Sequence, residues 1–105
     1  MDIQYQYQKL LQRCWVVLAR GDDTNRILFD DIKHELIHAG IINIHGCDAI
    51  EAEKGNREKM HQFLFYFCRT DLAKTYWIFK DILLKGNLNW VVRELEKVEK
   101  ELDIN

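Results

Sequence analysis

The stretch Gly40-Ile-Ile-Asn-Ile-His-Gly-Cys-Asp-Ala-Ile-Glu-Ala-Glu-Lys-Gly-Asn-Arg-Glu-Lys-Met60 decides how the chain is read. A helical pattern stops at Gly40, where glycine can take the left-handed conformation that closes a helix. The apolar pair Ile41-Ile42 follows. A short acidic helix then fits between Gly46 and Gly55. Asn56 caps a basic helix that opens with Arg57-Glu-Lys-Met60.

Working outward, the same punctuation recurs. The 105 residues contain no proline, and Gly21, Gly40, Gly46, Gly55 and Gly86 divide them. Asp22-Asp-Thr24, Asn56 and Asn87 stand where polar caps would open the next helix. The spacing predicts six helices near 4–20, 25–39, 47–54, 57–69, 72–85 and 88–102. In the second, Leu28, Phe29, Ile32, Leu36 and Ala39 fall on one stripe, the expected core face. Asp30, Asp31, His34 and His38 lie opposite, with Ile27 and Ile37 among them. The fourth helix turns Met60, Phe63, Leu64 and Phe67 inward and leaves Phe65 and Tyr66 outside. The fifth buries Leu72, Tyr76, Phe79, Ile82 and Leu83, with Trp77 and Leu84 on the far side. The last carries Leu88, Val91, Leu95, Val98 and Leu102 at three- and four-residue spacing, too few heptads for a coiled coil. Phe63-Leu-Phe-Tyr-Phe67 has strand propensity, but its setting between helical patterns favours helix. The fold class is all-α, a six-helix antiparallel bundle in one domain spanning 1–105.

Composition supports one ordinary domain: 48% of the residues are hydrophobic and 30% charged. No apolar run approaches the roughly 20 residues that span a bilayer. The first residues lack the basic and apolar regions of a secretory signal, so a cytoplasmic location is expected. Cys14, Cys47 and Cys68 form no C-x-x-C pair and read as free, mostly buried thiols. The net charge of −2 argues against a nucleic-acid coat, and no membrane partner is indicated. The charge is segregated. Residues 22–53 hold eight Asp or Glu against two Lys or Arg, whereas residues 54–85 hold seven basic against three acidic. Such asymmetry can make a small domain complementary to copies of itself.

One motif points to chemistry. His34-Glu-Leu-Ile-His38 matches H-E-x-x-H, in which two histidines one turn apart bind zinc and the glutamate activates its water. A catalytic zinc needs a third protein ligand. The positions that would extend the motif hold Ile41 and Ile44, with Gly40 and His45 each one place out of register. A solvent-facing helix surface is the better reading, and a minimal zinc peptidase the lesser alternative. Phosphate loops, nucleophile elbows and cofactor motifs are missing, so neither enzyme activity nor a cofactor or resident metal is expected.

Several segments, in order, resemble a caspase-recruitment domain (CARD) of the death-fold superfamily. Leu10-Leu-Gln-Arg-Cys14 looks like the start of its first helix. Leu36 to Gly40 with Ile41-Ile42 resembles the end of the second. Arg57-Glu-Lys-Met60 with Phe63-Leu64 is similar to the opening of the fourth, and Phe79-Lys-Asp-Ile-Leu83 to the core of the fifth. The resemblance covers residues 8–98 and implies a Greek-key-like death fold. It also implies homotypic association with other CARD-containing proteins, among them adaptors, caspases or nucleotide-binding sensors, with possible self-association into filaments in apoptosis or innate immunity. In that family a basic patch from helices one and four meets an acidic patch from helices two and three. The matching residues here are Arg13, Arg20, Arg57 and Lys59 on one side and Asp30, Asp31, Asp48, Glu51 and Glu53 on the other. Phe65, Trp77 and Leu84 would add apolar contacts. A pyrin or death-effector type of death fold is the alternative within the same superfamily.

Overall fold

The computed structural model describes residues 2–19 and 26–104, and Arg20, Gly21 and the Asp22–Thr24 capping segment lie outside them. Six helices succeed one another: α1 (Ile3–Leu18), α2 (Phe29–His38), α3 (Ile44–Glu51), α4 (Asn56–Phe67), α5 (Leu72–Lys85) and α6 (Asn89–Glu101). The chain is an all-α bundle, and the 63–67 aromatic run is helical throughout. Helix α1 packs on α5 and α6, α5 on α6, α2 on α3, α4 and α5, and α3 on α4. Gln4 of α1 reaches Thr70 beyond the end of α4, while Trp15 reaches His61 nearer its start, so α1 and α4 run antiparallel.

The inward stripes of α4 and α5 are buried as their periodicity requires. Phe29, Phe63, Phe67 and Phe79 bring α2, α4 and α5 together. Ring centroids lie 4.8 Å apart between Phe67 and Phe79, 5.4 Å between Phe63 and Phe67, and 6.2 Å between Phe29 and Phe63. Aromatic rings bury large apolar areas and prefer such tilted or offset contacts.

Where the chain departs from its local pattern, the reason lies in a distant partner. Helix α2 begins at Phe29 rather than near 25, so Ile27 precedes it and is fully buried while Leu28 is partly exposed. The expected order of these two residues is thus reversed, and Ala39, at the C-terminal end, is exposed. Leu28, the N-cap, has no side-chain oxygen to satisfy the first amides. Asn56 supplies it from α4. Its Oδ1 accepts from the Phe29 N–H at 2.8 Å, and its Nδ2 donates to the Ile27 carbonyl at 2.8 Å. Asn56 therefore caps α2 across the fold instead of capping its own helix, whose N-cap is Gly55. Gln4 acts similarly at α5, accepting from the Leu72 N–H at 3.0 Å and donating to the Cys68 and Thr70 carbonyls.

Helix α3 starts at Ile44, because the Asn43 side chain accepts from the Gly46 N–H at 2.7 Å and draws Gly46 into the first turn. Gly40 closes α2 at φ 78°, with the Ile41 N–H returning to the Leu36 carbonyl. At the end of α5 the left-handed residue is Asn87, at φ 61°, and not Gly86. Asn87 thus terminates one helix rather than capping the next. On α6, Val91, Val92 and Leu95 are buried while Leu88, Val98 and Leu102 are half-buried.

Truncating Asn56 to alanine leaves an α2 amide and the Ile27 carbonyl without partners. Asn56→Ala is expected to lower stability by about 1–2 kcal/mol, read as a shifted midpoint in urea with an unchanged slope.

Candidate interaction surface

The charged residues singled out in the sequence sort by which flank of a helix they occupy. On α4, Met60, Phe63, Leu64 and Phe67 fix the inward direction. At 100° per residue, Arg57 and His61 then lie on one side of that stripe and Lys59 and Tyr66 on the other. Neighbours on each flank agree. His61 meets Trp15 of α1, whereas the Lys59 ammonium lies 3.6 Å from Asp30 of α2 and 3.5 Å from Glu51 of α3.

Lys59 therefore does not share a basic surface with Arg57; it is a counter-ion for the acidic one. Lys33 joins it, 2.9 Å from Glu51 and 3.6 Å from Asp30. The four side chains tie α2, α3 and α4 together. The hydrogen bond from Lys33 holds the Glu51 carboxyl below its ordinary value, and the same bond raises the Lys33 ammonium. Asp30 and Glu51 are thus neutralised within the chain. Asp31 and Asp48 are exposed and Glu53 half-buried, without ion pairs among the described residues.

Arg13 turns toward α6 and pairs with Glu101 at 2.8 Å. That pair is exposed on both sides, so it contributes under about 1 kcal/mol and leaves Arg13 free to exchange partners. Arg57 is exposed at the start of α4 and has no ion pair among the described residues.

The three apolar candidates also separate. Phe65 and Leu84 are exposed, at 56% and 45%. Trp77 is not a free surface contact. Its indole N–H donates to the Tyr7 hydroxyl at 3.0 Å, Tyr76 packs edge-on, and the Lys80 ammonium lies 5.1 Å from its ring. Below it sits a group the sequence reading missed. Glu99 is only 8% exposed and accepts from the Tyr76 hydroxyl at 2.5 Å and from Lys80 at 2.9 Å. Burial, then the bond to Glu99, pushes the Tyr76 phenol well above its ordinary value. The signal was present: Glu99 follows Val92 and Leu95 on the buried side of α6, and a carboxylate there requires a cation opposite.

His34 and His38 are exposed on α2. Among the described residues no three His, Cys, Asp or Glu are grouped to hold a metal ion. Cys14, Cys47 and Cys68 are free, and burial pushes the Cys14 thiol up to about 11, with Glu94, Glu101 and Glu99 adding to it. Among the described residues no helix is long and apolar enough to cross a membrane. A cleft of about 380 Å³ between the α2–α3 turn and the end of α4 is lined by Ile41, Ile42, Asn43, His45, Gly46, Tyr66 and Thr70, without a carboxylate or a Lys or Arg.

No protein-family model matches the chain, and no curated protein or solved structure matches it. The arrangement of side chains is the guide to function. Among the described residues it is a bundle surface with an uncompensated arginine on α4, uncompensated carboxylates on α2 and α3, and exposed apolar side chains on α3 and α4.

The lowered Glu51 carboxyl gives the acidic network a pH signature. Its contribution is present at neutral pH and is lost as pH falls through the lowered value, whereas that of Lys33 is lost only in strong base. The stability difference between wild type and Glu51→Gln should be largest near pH 7 and vanish in acid, measured by urea denaturation across pH.

Proposed function

We propose that the chain is a CARD-like death-fold module that acts by homotypic association, in the cytosol, within signalling assemblies of apoptosis or innate immunity. The reading rests on the ordered sequence resemblance, and the six-helix bundle is compatible with it. The observation that carries it is the pair Arg57 and Asp48. Each is exposed on a different helix, α4 and α3, and neither has an ion pair among the described residues. Lys33 and Lys59 hold Asp30 and Glu51, so those carboxylates act chiefly inside the domain.

Arginine suits this role because its planar fork pairs with a carboxylate through two hydrogen bonds. A rim pair contributes under about 1 kcal/mol, so one contact cannot hold a dimer. A copy that uses both surfaces at once joins head to tail, and an assembly that does not close gains from repetition. The partner would be another module of the same kind or a second copy of this chain.

Charge reversal tests the reading. Arg57→Glu and Asp48→Lys should each weaken assembly seen by light scattering, and the two variants mixed should recover part of it by pairing the altered residues with each other. Assembly unchanged in both variants would refute it.

A further inference from the structure

Arg57, His61 and Phe65 follow one another at four-residue intervals along α4 on the flank toward α1. Trp15 of α1 meets two of them. Its indole N–H donates to His61 Nδ1 at 2.7 Å, with the rings stacked, and Phe65 packs edge-on against it at 5.4 Å. An indole N–H is a donor only, so the imidazole must offer an unprotonated nitrogen here. The bond pins the indole, and the pinned indole gives Phe65 a fixed seat. Phe65 is nevertheless 56% exposed, and Val16, next to Trp15 in the chain, is 79% exposed. Single exposed apolar residues are ordinary, but Phe65 is a ring held against a hydrogen-bonded indole on the flank that carries Arg57.

Helix α3 repeats this combination with the opposite charge. Ile44, its first residue, is 65% exposed, and Asp48 follows one turn later, also exposed. We propose that Phe65, seated on Trp15, is the apolar anchor of the α4 surface, and that its occupant is the Ile44–Asp48 face of a second copy of this chain. The proposal rests on the homotypic reading and deepens it. Charge complementarity favours this occupant: Arg57 stands two turns from Phe65 and Asp48 one turn from Ile44, a difference of about 6 Å that the long arginine side chain spans. A rim of charges alone is weak, and interfaces draw most of their energy from a few well-packed anchors, aromatic ones above all. His61 is a positioning residue that acts through Trp15.

Phe65→Ser and Ile44→Ser test the anchor. Both side chains are exposed, so the helical spectrum and melting temperature should stay those of the wild type. Each variant alone should self-associate more than tenfold more weakly in sedimentation. Mixed in equal amounts they should form dimers that grow no further, because Phe65→Ser keeps an intact Ile44 face and Ile44→Ser an intact Phe65 face. His61→Phe, which keeps a ring but loses the acceptor, should shift the Trp15 indole N–H resonance and weaken association, and His61→Gln should restore both. If Phe65→Ser assembles like wild type while Arg57→Glu does not, the anchor is wrong and the homotypic reading stands. A mixture that stays monomeric overturns the Phe65–Ile44 pairing. A wild-type chain that never self-associates overturns the second copy as occupant, and if it also captures no related module the homotypic reading falls with it.

Discussion

The packing of Phe29, Phe63, Phe67 and Phe79 sets the rotation of α4, and much of the surface follows from that rotation. With Phe63 and Phe67 turned inward, residues two apart near the start of the helix leave on opposite flanks. Arg57 goes to solvent on the α1 side, and Lys59 goes to the carboxylates of α2 and α3. A rotation of α4 by one residue, about 100°, would carry Lys59 or Arg57, according to its sense, into the core. The aromatic core therefore specifies the surface chemistry as well as stability.

Capping across the fold is the second constraint. Neither α2 nor α5 has a side-chain cap of its own, and each receives one from a different helix, through Asn56 and Gln4. A buried helix end without partners is costly, so these amides couple the formation of α2 and α5 to the docking of α4 and α1. The same logic governs Glu99. A carboxylate this deep is tolerated because Lys80 and Tyr76 meet it from the adjacent helix.

Assembly, on the reading proposed, uses what these internal demands leave over. Lys33 and Lys59 hold Asp30 and Glu51, and Trp77 is bound to Tyr7. Arg57, Asp48, Phe65 and Ile44 have no such intramolecular charge or hydrogen-bond partner among the described side chains, and they are the groups a neighbouring molecule can engage.

The helical class, the six elements and the buried stripes of α4 and α5 are legible in the residues alone, because each depends on periodicity within one helix. So is the left-handed stop at Gly40, a local backbone requirement. It takes the packed bundle to show that Ile27 is buried and Leu28 exposed, that Asn56 and Gln4 cap helices far from them in the chain, and that Glu99 has its cation. Packing likewise sends Arg57 and Lys59, two residues apart, to different surfaces. The reason is common to all of these. A side chain's direction follows from its own helix, but what it meets depends on which helix packs against that flank, and that is set by the whole core.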